Sequence, residues 1–126
     1  MSKRLLVVDD QLGMVKVVNH IAVGLGYEVK EVTDSTKAVG IFREFMPDVV
    51  VLDIFMPRKD GIEVLNEILA TGIQARIIIT SGYGDCYLQI AEGIAQYHSE
   101  KQVSIMRKPF RRDDLVNLLE KVPDCA

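Results

Sequence analysis

Three short runs of consecutive apolar residues place the strongest limits on what this chain can fold into. They are Arg4–Val8, Val49–Leu52 and Arg76–Thr80, which read RLLVV, VVVL and RIIIT. A strand with one face in water alternates apolar and polar residues, whereas a continuous apolar run is typical of a strand covered on both faces. The sequence therefore predicts three strands inside a sheet. A shorter run, Val103–Met106, predicts a further strand, and the alternating stretch Tyr27–Val32 predicts a strand nearer an edge.

Helical patterns lie between the predicted strands, each with apolar residues on one face. The predicted helices cover Leu12–Leu25, a stretch capped by Thr33 or Asp34 that ends before Pro47, a stretch opening at Asp60 and Gly61, about Asp85–Gln96, and a last helix with Asp113 and Asp114 in its first turn. Their apolar stripes are Leu12, Val15, Val18, Ala22 and Leu25; Ala38, Ile41, Phe42 and Phe45; Ile62, Leu65, Ile68 and Leu69; Tyr87, Ile90, Ala91 and Ile94; and Leu115, Leu118, Leu119 and Val122.

The alternation of strands and helices gives five β-α units along the chain. Buried strands that alternate with amphipathic helices predict a parallel sheet with helices on both faces. A length of 126 residues suits one domain with one core. We place this α/β domain at residues 1–122 and interpret residues 123–126 as a C-terminal tail.

Composition and charge argue against several classes of protein. The net charge of −3 does not favour direct nucleic-acid binding, and no apolar run approaches the roughly 18 residues that a membrane span needs. The N-terminus reaches Asp9 and Asp10 too early for a signal peptide. The two cysteines, Cys86 and Cys125, form neither a disulfide framework nor a CxxC pair. We therefore expect a cytoplasmic protein with free thiols.

Polar residues follow the predicted strands at their carboxyl ends, where parallel sheets bind their ligands. Asp9 and Asp10 follow the first strand, Asp53 the third, Ser81 the fourth and Lys108 the fifth. Three carboxylates packed together repel one another unless a cation lies among them, and oxygen ligands suit Mg²⁺ better than zinc or copper. A magnesium ion and a lysine can hold a phosphoryl group by its oxygens, and a carboxylate can accept one as a nucleophile.

Four motifs at these strand ends, VVDD, LDIFMPRKDG, TSG and KPF, occur in the order and spacing of a known family. In these motifs the chain resembles the receiver domain of bacterial response regulators, over nearly its whole length. The resemblance implies a single doubly wound, flavodoxin-like (βα)5 domain with a five-stranded parallel sheet of order 2-1-3-4-5. It also implies a signalling phosphoprotein that assists only its own phosphorylation and dephosphorylation, rather than an enzyme with an external substrate.

The resemblance assigns the acidic residues to phosphoryl transfer and metal binding. Asp53 matches the phosphoacceptor, which takes its phosphoryl group from a histidine kinase or a histidine phosphotransfer protein. Asp9 and Asp10 match the acidic pair that holds Mg²⁺, one directly and the other through water. The backbone carbonyl of Phe55 matches the third protein ligand, and Asp53 also belongs to the metal site.

The remaining motifs supply contacts to the phosphoryl group. Lys108 matches the lysine that pairs with the phosphoryl oxygens, and Pro109 matches the proline that follows it through a cis bond. Ser81 matches the switch hydroxyl that moves toward the phosphoryl group. We prefer Ser81 to Thr80 because the family places a small residue, here Gly82, directly after the hydroxyl.

The sequence departs from the family pattern in its switch elements. Ile105 stands where the family has a tyrosine or phenylalanine whose rotamer reports phosphorylation, so any switching must use other contacts. The segment between Ser81 and Lys108 is several residues longer than usual, with the extra residues assigned to Ala95–Gln102. This segment belongs to the face where receivers dimerise or meet partners, and we predict a non-standard surface there.

Two aromatic residues stand at positions that flank the path of the hydrolytic water in the family. Phe55 lies two residues after Asp53, and Tyr83 lies two residues after Ser81. Our hypothesis is that these side chains shield the phosphoryl group, so that the phosphorylated protein loses it slowly.

Other functional classes fit the residues less well. A phosphatase with an aspartate nucleophile needs a second carboxylate two residues on, where this chain has Phe55. An inert interaction module should lack one of the site residues, and a flavin-binding domain would need a phosphate-cradling loop where the chain has the acidic stretch DDQLG. The expected partners are therefore the phosphodonor protein, a downstream target or output domain, and a second copy in a homodimer. The sequence leaves open whether the chain is a whole regulator or part of a longer one.

Overall fold

The computed structural model describes residues 3–82, 89, 93 and 103–121. Its elements are β1 (Arg4–Val8), α1 (Leu12–Gly24), β2 (Glu28–Val32), α2 (Ala38–Phe45), β3 (Val49–Asp53), α3 (Gly61–Ala70), β4 (Arg76–Ser81), β5 (Val103–Arg107) and α4 (Arg112–Glu120), with a 3-10 turn at Ser35–Lys37 before α2. All five predicted strands are confirmed. The helix predicted at about Asp85–Gln96 lies outside the described residues, apart from Gln89 and Gly93, which are helical.

The five strands form one parallel sheet in the order β2-β1-β3-β4-β5, which confirms the predicted topology. Strand β3 pairs with β1 on one side and β4 on the other, so it lies at the centre. All five residues of β3 are buried, whereas β2 alternates exposed and partly buried residues until Val32. This difference explains why the sequence of β3 is continuously apolar and that of β2 is not.

The buried side chains form two clusters, one on each face of the sheet. Successive residues of a strand point to opposite faces, so every apolar run contributes to both clusters. One cluster joins the sheet to α2 and α3 and includes Leu6, Val8, Phe42, Val50, Leu52, Leu65, Ile68, Ile77 and Ile79. The other joins the sheet to α1 and α4 and includes Leu5, Val7, Val15, Val18, Val49, Val51, Ile78, Leu115 and Leu119.

The helix predicted at Leu12–Leu25 is confirmed as α1, but its apolar stripe is not buried at either end. Val15, Val18 and Ala22 are buried as expected, but Leu12 is 57% exposed and Leu25 is 37% exposed. Leu12 is the first residue of the helix, before the helix lies over the sheet, and Leu25 follows its last residue. The predicted stripe therefore extended beyond the part of the helix that packs.

The helix boundaries follow the local chemistry. The side chain of Asp60 accepts a hydrogen bond from the backbone N–H of Ile62 at 2.9 Å and caps α3. Asp34 caps the 3-10 turn in the same way through Thr36. Helix α2 ends at Phe45, and the next residue, Met46, has a left-handed backbone (φ 52°) and precedes Pro47. Within the described part of the chain, none of the helices has the length and apolar character of a membrane span.

Candidate functional site

Three carboxylates converge at the carboxyl ends of β1 and β3, as predicted. Asp9 follows β1 and Asp53 is the last residue of β3, and these strands are neighbours in the sheet. Asp9 is only 2% exposed and Asp53 only 5%, whereas Asp10 is exposed. Oxygen atoms of all three lie within 4.8 Å of one another. Two of the three negative charges are therefore held away from water.

Asp9 is held on two sides. Its backbone N–H donates to the carbonyl of Val32 at 3.1 Å, and its Oδ1 accepts from the N–H of Gln11 at 2.9 Å. Its other oxygen, Oδ2, accepts from Nζ of Lys108 at 2.9 Å. The carboxylate is thus fixed by the start of α1 and by the end of β5.

Asp53 lies between a like charge and an opposite one. Its Oδ1 accepts from the backbone N–H of Phe55 at 3.3 Å, and its Oδ2 lies 3.5 Å from Nζ of Lys108. Burial, with a smaller contribution from the charge of Asp9, raises the pKa of Asp53 to about 6, although Lys108 and the Phe55 N–H act in the opposite direction. Lys108 therefore compensates only part of the negative charge at this site.

Lys108 reaches the carboxylates because its backbone and stem are placed by β4. Its N–H donates to the carbonyl of Ser81 at 2.8 Å. A Cβ on Gly82 would lie 3.3 Å from Cβ and 3.4 Å from Cδ of Lys108, so the absence of a side chain at Gly82 lets the lysine stem lie close to this strand end. The peptide bond between Lys108 and Pro109 is cis, as the resemblance implies.

The two candidate switch hydroxyls are both buried at the end of β4. Thr80 is 2% exposed and pairs with Asp53 in the sheet, and Ser81 is 6% exposed and pairs with Arg107. Ser81 is the last residue of the strand and contacts the backbone of Lys108. Both positions therefore border the ends of the strands that carry the charged groups.

Gly61 has a role that the sequence analysis did not identify. A Cβ there would lie 2.4 Å from the carbonyl oxygen of Asp53 and 2.4 Å from Cα of Ile54. The N–H of Gly61 also donates to the carbonyl of Ile54 at 3.0 Å. The chain therefore returns directly onto the end of β3, which no residue with a side chain permits. Phe55 lies in the loop that this contact closes, with its side chain 48% exposed.

The other predicted site residues are placed less centrally. Ile105 is partly buried and packs against the cluster on the α2 and α3 side, opposite Ile79 in the sheet. Tyr83 and the long segment Ala95–Gln102 lie outside the described residues. The structure also shows a buried hydroxyl that sequence reasoning missed, Ser35, which is 3% exposed. It stands in the polar stretch TDSTK, where no pattern distinguishes it from its neighbours.

The acidic residues fit a hard divalent cation. Their donors are oxygens, which Mg²⁺ prefers, and the site carries uncompensated negative charge. The carboxylate oxygens lie within 4.8 Å of one another, so a single cation placed among them would be near all three side chains.

A doubly wound parallel sheet with an acidic cluster and a lysine at its carboxyl edge defines a class of phosphoryl-handling α/β domains. Comparison with known proteins specifies the family. Residues 5–120 match the response regulator receiver domain, and the chain belongs to this family. It is therefore a receiver domain of two-component and phosphorelay signalling.

Individual relatives agree with this assignment. The chain is 36% identical over 123 residues to the chemotaxis protein CheY of Thermotoga maritima, covering 97% of this chain and 98% of that protein. It is 36% identical over 122 residues to CheY of Bacillus subtilis, covering 96% and 98%. The receiver domain of a putative LuxO repressor protein from Vibrio parahaemolyticus superposes with a TM-score of 0.83 at 22% identity, covering 95% of this chain and 88% of that one, which supports the fold.

Proposed function

We propose that Asp53 is the phosphoacceptor of this receiver domain and that a histidine kinase or a histidine phosphotransfer protein donates the phosphoryl group. The observation that supports this most is the position of Asp53, buried at the end of the central strand between Asp9 and Lys108. With a pKa of about 6, the carboxyl group is mostly ionised near neutral pH, and only the ionised form is a nucleophile.

The surrounding residues handle the charge of the reaction. We propose that Asp9, Asp10, Asp53 and the backbone carbonyl of Phe55 hold Mg²⁺, which when bound neutralises charge on the phosphoryl oxygens. Lys108, whose ammonium group lies 2.9 Å from Asp9 and 3.5 Å from Asp53, pairs with a phosphoryl oxygen as charge builds up. The N–H of Phe55 orients the attacking carboxylate through Oδ1.

We further propose that the domain signals by changing its contacts with other proteins. Ser81 acts as the switch hydroxyl, with Thr80 as the second candidate. The partners are the phosphodonor protein, a downstream target or output domain, and a second copy of the domain. In this proposal the domain acts in the cytoplasm, turns over no external substrate, and assists only its own phosphorylation and dephosphorylation.

Phe55 gives the proposal a kinetic consequence. The backbone N–H of Phe55 donates to Asp53, and its half-exposed side chain is therefore close to the phosphorylation site. In this position the side chain can restrict the approach of water to the phosphoryl group. Phe55→Asn should therefore speed loss of the phosphoryl group by about tenfold, which corresponds to about 1.4 kcal/mol of barrier. Decay followed by intact mass checks this, with Tyr83→Ala as the companion variant. Unchanged decay in both variants would exclude shielding.

Incubation with acetyl phosphate, followed by intact mass spectrometry, tests the proposed function. The wild-type chain should gain one phosphoryl group in Mg²⁺ and none when the metal is chelated. Asp53→Asn should abolish the adduct. Asp113→Asn, which removes an exposed carboxylate in the first turn of α4, is the matched control and should keep it. An adduct that persists in Asp53→Asn would refute the assignment.

A further inference from the structure

Ser35 is a buried polar residue that the proposed reaction does not use. It lies in the β2–α2 connection, residues 33–37, three residues after the end of β2. Its Oγ accepts a hydrogen bond of 2.9 Å from the backbone N–H of Lys59, 24 residues later in the chain. A buried hydroxyl is costly unless it is hydrogen-bonded, so this contact accounts for the place of Ser35 in the interior.

The hydrogen bond attaches the β3–α3 loop, residues 54–60, near its α3 end to the β2–α2 connection. The loop is already fixed at its two ends. The N–H of Ile54 donates to the carbonyl of Thr80 at 3.1 Å, and the N–H of Gly61 donates back to Ile54 at 3.0 Å. The backbone between these ends carries Phe55, and Ser35 restrains it through Lys59.

On its core side the loop packs through Met56, which is buried in the same cluster as Val32 and Ala38, the residues that flank the β2–α2 connection. On the other side a cavity of about 380 Å³ lies between the two segments, lined by Asp10, Thr33, Asp34, Ser35, Pro57 and Arg58. On that side the two segments are linked by polar contacts. The cavity also reaches Asp10, so the distance between the segments affects the surroundings of the acidic cluster.

Two contacts cross this space, and they differ in strength. Arg58 lies 3.5 Å from Asp34, but the arginine side chain is 73% exposed, and exposed ion pairs contribute little. The hydrogen bond to Ser35 is shorter and its acceptor is buried. The buried contact is therefore the one that can hold the loop.

We propose that Ser35 is a positioning residue that holds the β3–α3 loop so that the Phe55 carbonyl can bind Mg²⁺. This inference rests on the proposed metal-binding role of that carbonyl. Phe55 precedes Lys59 by four residues, in a short loop whose ends are joined. The hydrogen bond at Lys59 therefore restricts the backbone conformations open to the loop, and with them the position of the Phe55 carbonyl. Groups that orient metal ligands act on metal affinity in this way.

Isothermal titration calorimetry with MgCl₂ tests the proposal without any phosphodonor. Ser35→Ala should weaken Mg²⁺ binding about tenfold, the lower end of the effect typical of residues that orient metal ligands. Ser35→Cys keeps nearly the same volume but offers a weak acceptor, so its affinity should lie between those of wild type and Ser35→Ala. Arg58→Ala, which removes the exposed contact of the same loop, is the matched control and should change the affinity less than about twofold.

A second readout separates positioning from a purely structural role. Thermal unfolding is measured on the same variants. If Ser35→Ala lowers the midpoint of unfolding but leaves the Mg²⁺ affinity unchanged, the proposal is overturned. Should Ser35→Ala not fold, Ser35→Cys decides the question by the same criterion. Wild-type affinity in these variants overturns only this inference, whereas failure of the wild-type chain to bind Mg²⁺ would overturn the proposed function with it.

Discussion

Strand β3 ends in a charged residue of the site, Asp53, and β5 is followed by another, Lys108, but the two strands are held very differently. Strand β3 is paired on both sides, and all five of its residues are buried up to Asp53. Strand β5 pairs with β4 alone, and only Val103 and Met106 of its five residues are buried. The proposed nucleophile therefore lies on the most constrained strand, and its lysine partner follows an edge strand. We therefore expect the carboxylate of Asp53 to be held more rigidly than the residues that follow β5.

The largest expected effect is on stability, where truncating a side chain of β3 should cost more than truncating one of β5. Leu52 and Ile105 lie in one row across the sheet, joined through Ile79, and both contact the same cluster. Leu52 is 1% exposed, so Leu52→Ala should lower the free energy of unfolding by about 3–4 kcal/mol. Ile105→Ala, in a partly buried position, should cost only about 1–2 kcal/mol. Urea unfolding measures both, and equal losses would contradict the proposed difference in constraint.

Gly61 tests how closely the loop must return to the end of β3. In Gly61→Ala the new methyl group would overlap the backbone of Asp53 and Ile54, so we expect a loss of about 3 kcal/mol. At Gly40, in α2, an added Cβ would have no neighbouring atom within 4 Å. Gly40→Ala should therefore stabilise the protein by about 0.5–1 kcal/mol through helix propensity. Urea unfolding measures both variants. If Gly61→Ala lowered the free energy of unfolding no more than Gly40→Ala does, the loop would not need to lie against the backbone at the end of β3.

The charge of Asp53 should produce a smaller, pH-dependent effect. Its pKa is about 6 in the fold against an ordinary value of 3.8, so the folded state binds more protons between these values. The contribution of Asp53 to stability is present below about pH 4 and is lost as the pH rises through 6. Asp53→Asn should thus stabilise the protein by about 2 kcal/mol at pH 8, and the gain should vanish near pH 4.

Urea unfolding with the metal chelated measures this gain across the pH range. Asp10→Asn is the matched control, because Asp10 belongs to the same cluster but is exposed. Its gain should be clearly smaller. If Asp53→Asn were instead less stable than wild type at pH 8, the negative charge of Asp53 would be fully balanced by its surroundings. That result would contradict its raised pKa.

Much of the fold could be predicted because runs of consecutive apolar residues indicate strands that are buried on both faces. Runs such as Val49–Leu52 identify the interior strands, and because parallel sheets bind ligands at their carboxyl edge, the sequence alone predicts that Asp9, Asp53 and Lys108 lie together. The resemblance to receivers supplied the strand order, which periodicity alone does not encode. These predictions depend on local pattern and on topology.

What could not be predicted depends on where backbone segments approach one another. The need for glycine at Gly61 comes from its contact with the end of β3, and the burial of Ser35 comes from a loop 24 residues away. Neither residue differs in its local sequence from an ordinary turn glycine or surface serine. The exposure of Leu12 has the same origin, since helical spacing does not show where a helix leaves the sheet.

The central claim is that Asp53 itself carries the phosphoryl group, and chemical mapping tests it most directly. The wild-type chain is phosphorylated with acetyl phosphate and Mg²⁺, reduced with borohydride, which converts an acyl phosphate to an alcohol, and digested for peptide sequencing by mass spectrometry. The proposal predicts homoserine at position 53, with Asp9 and Asp10 unchanged. Reduction at Asp9 or Asp10, or an adduct that resists borohydride, would contradict it.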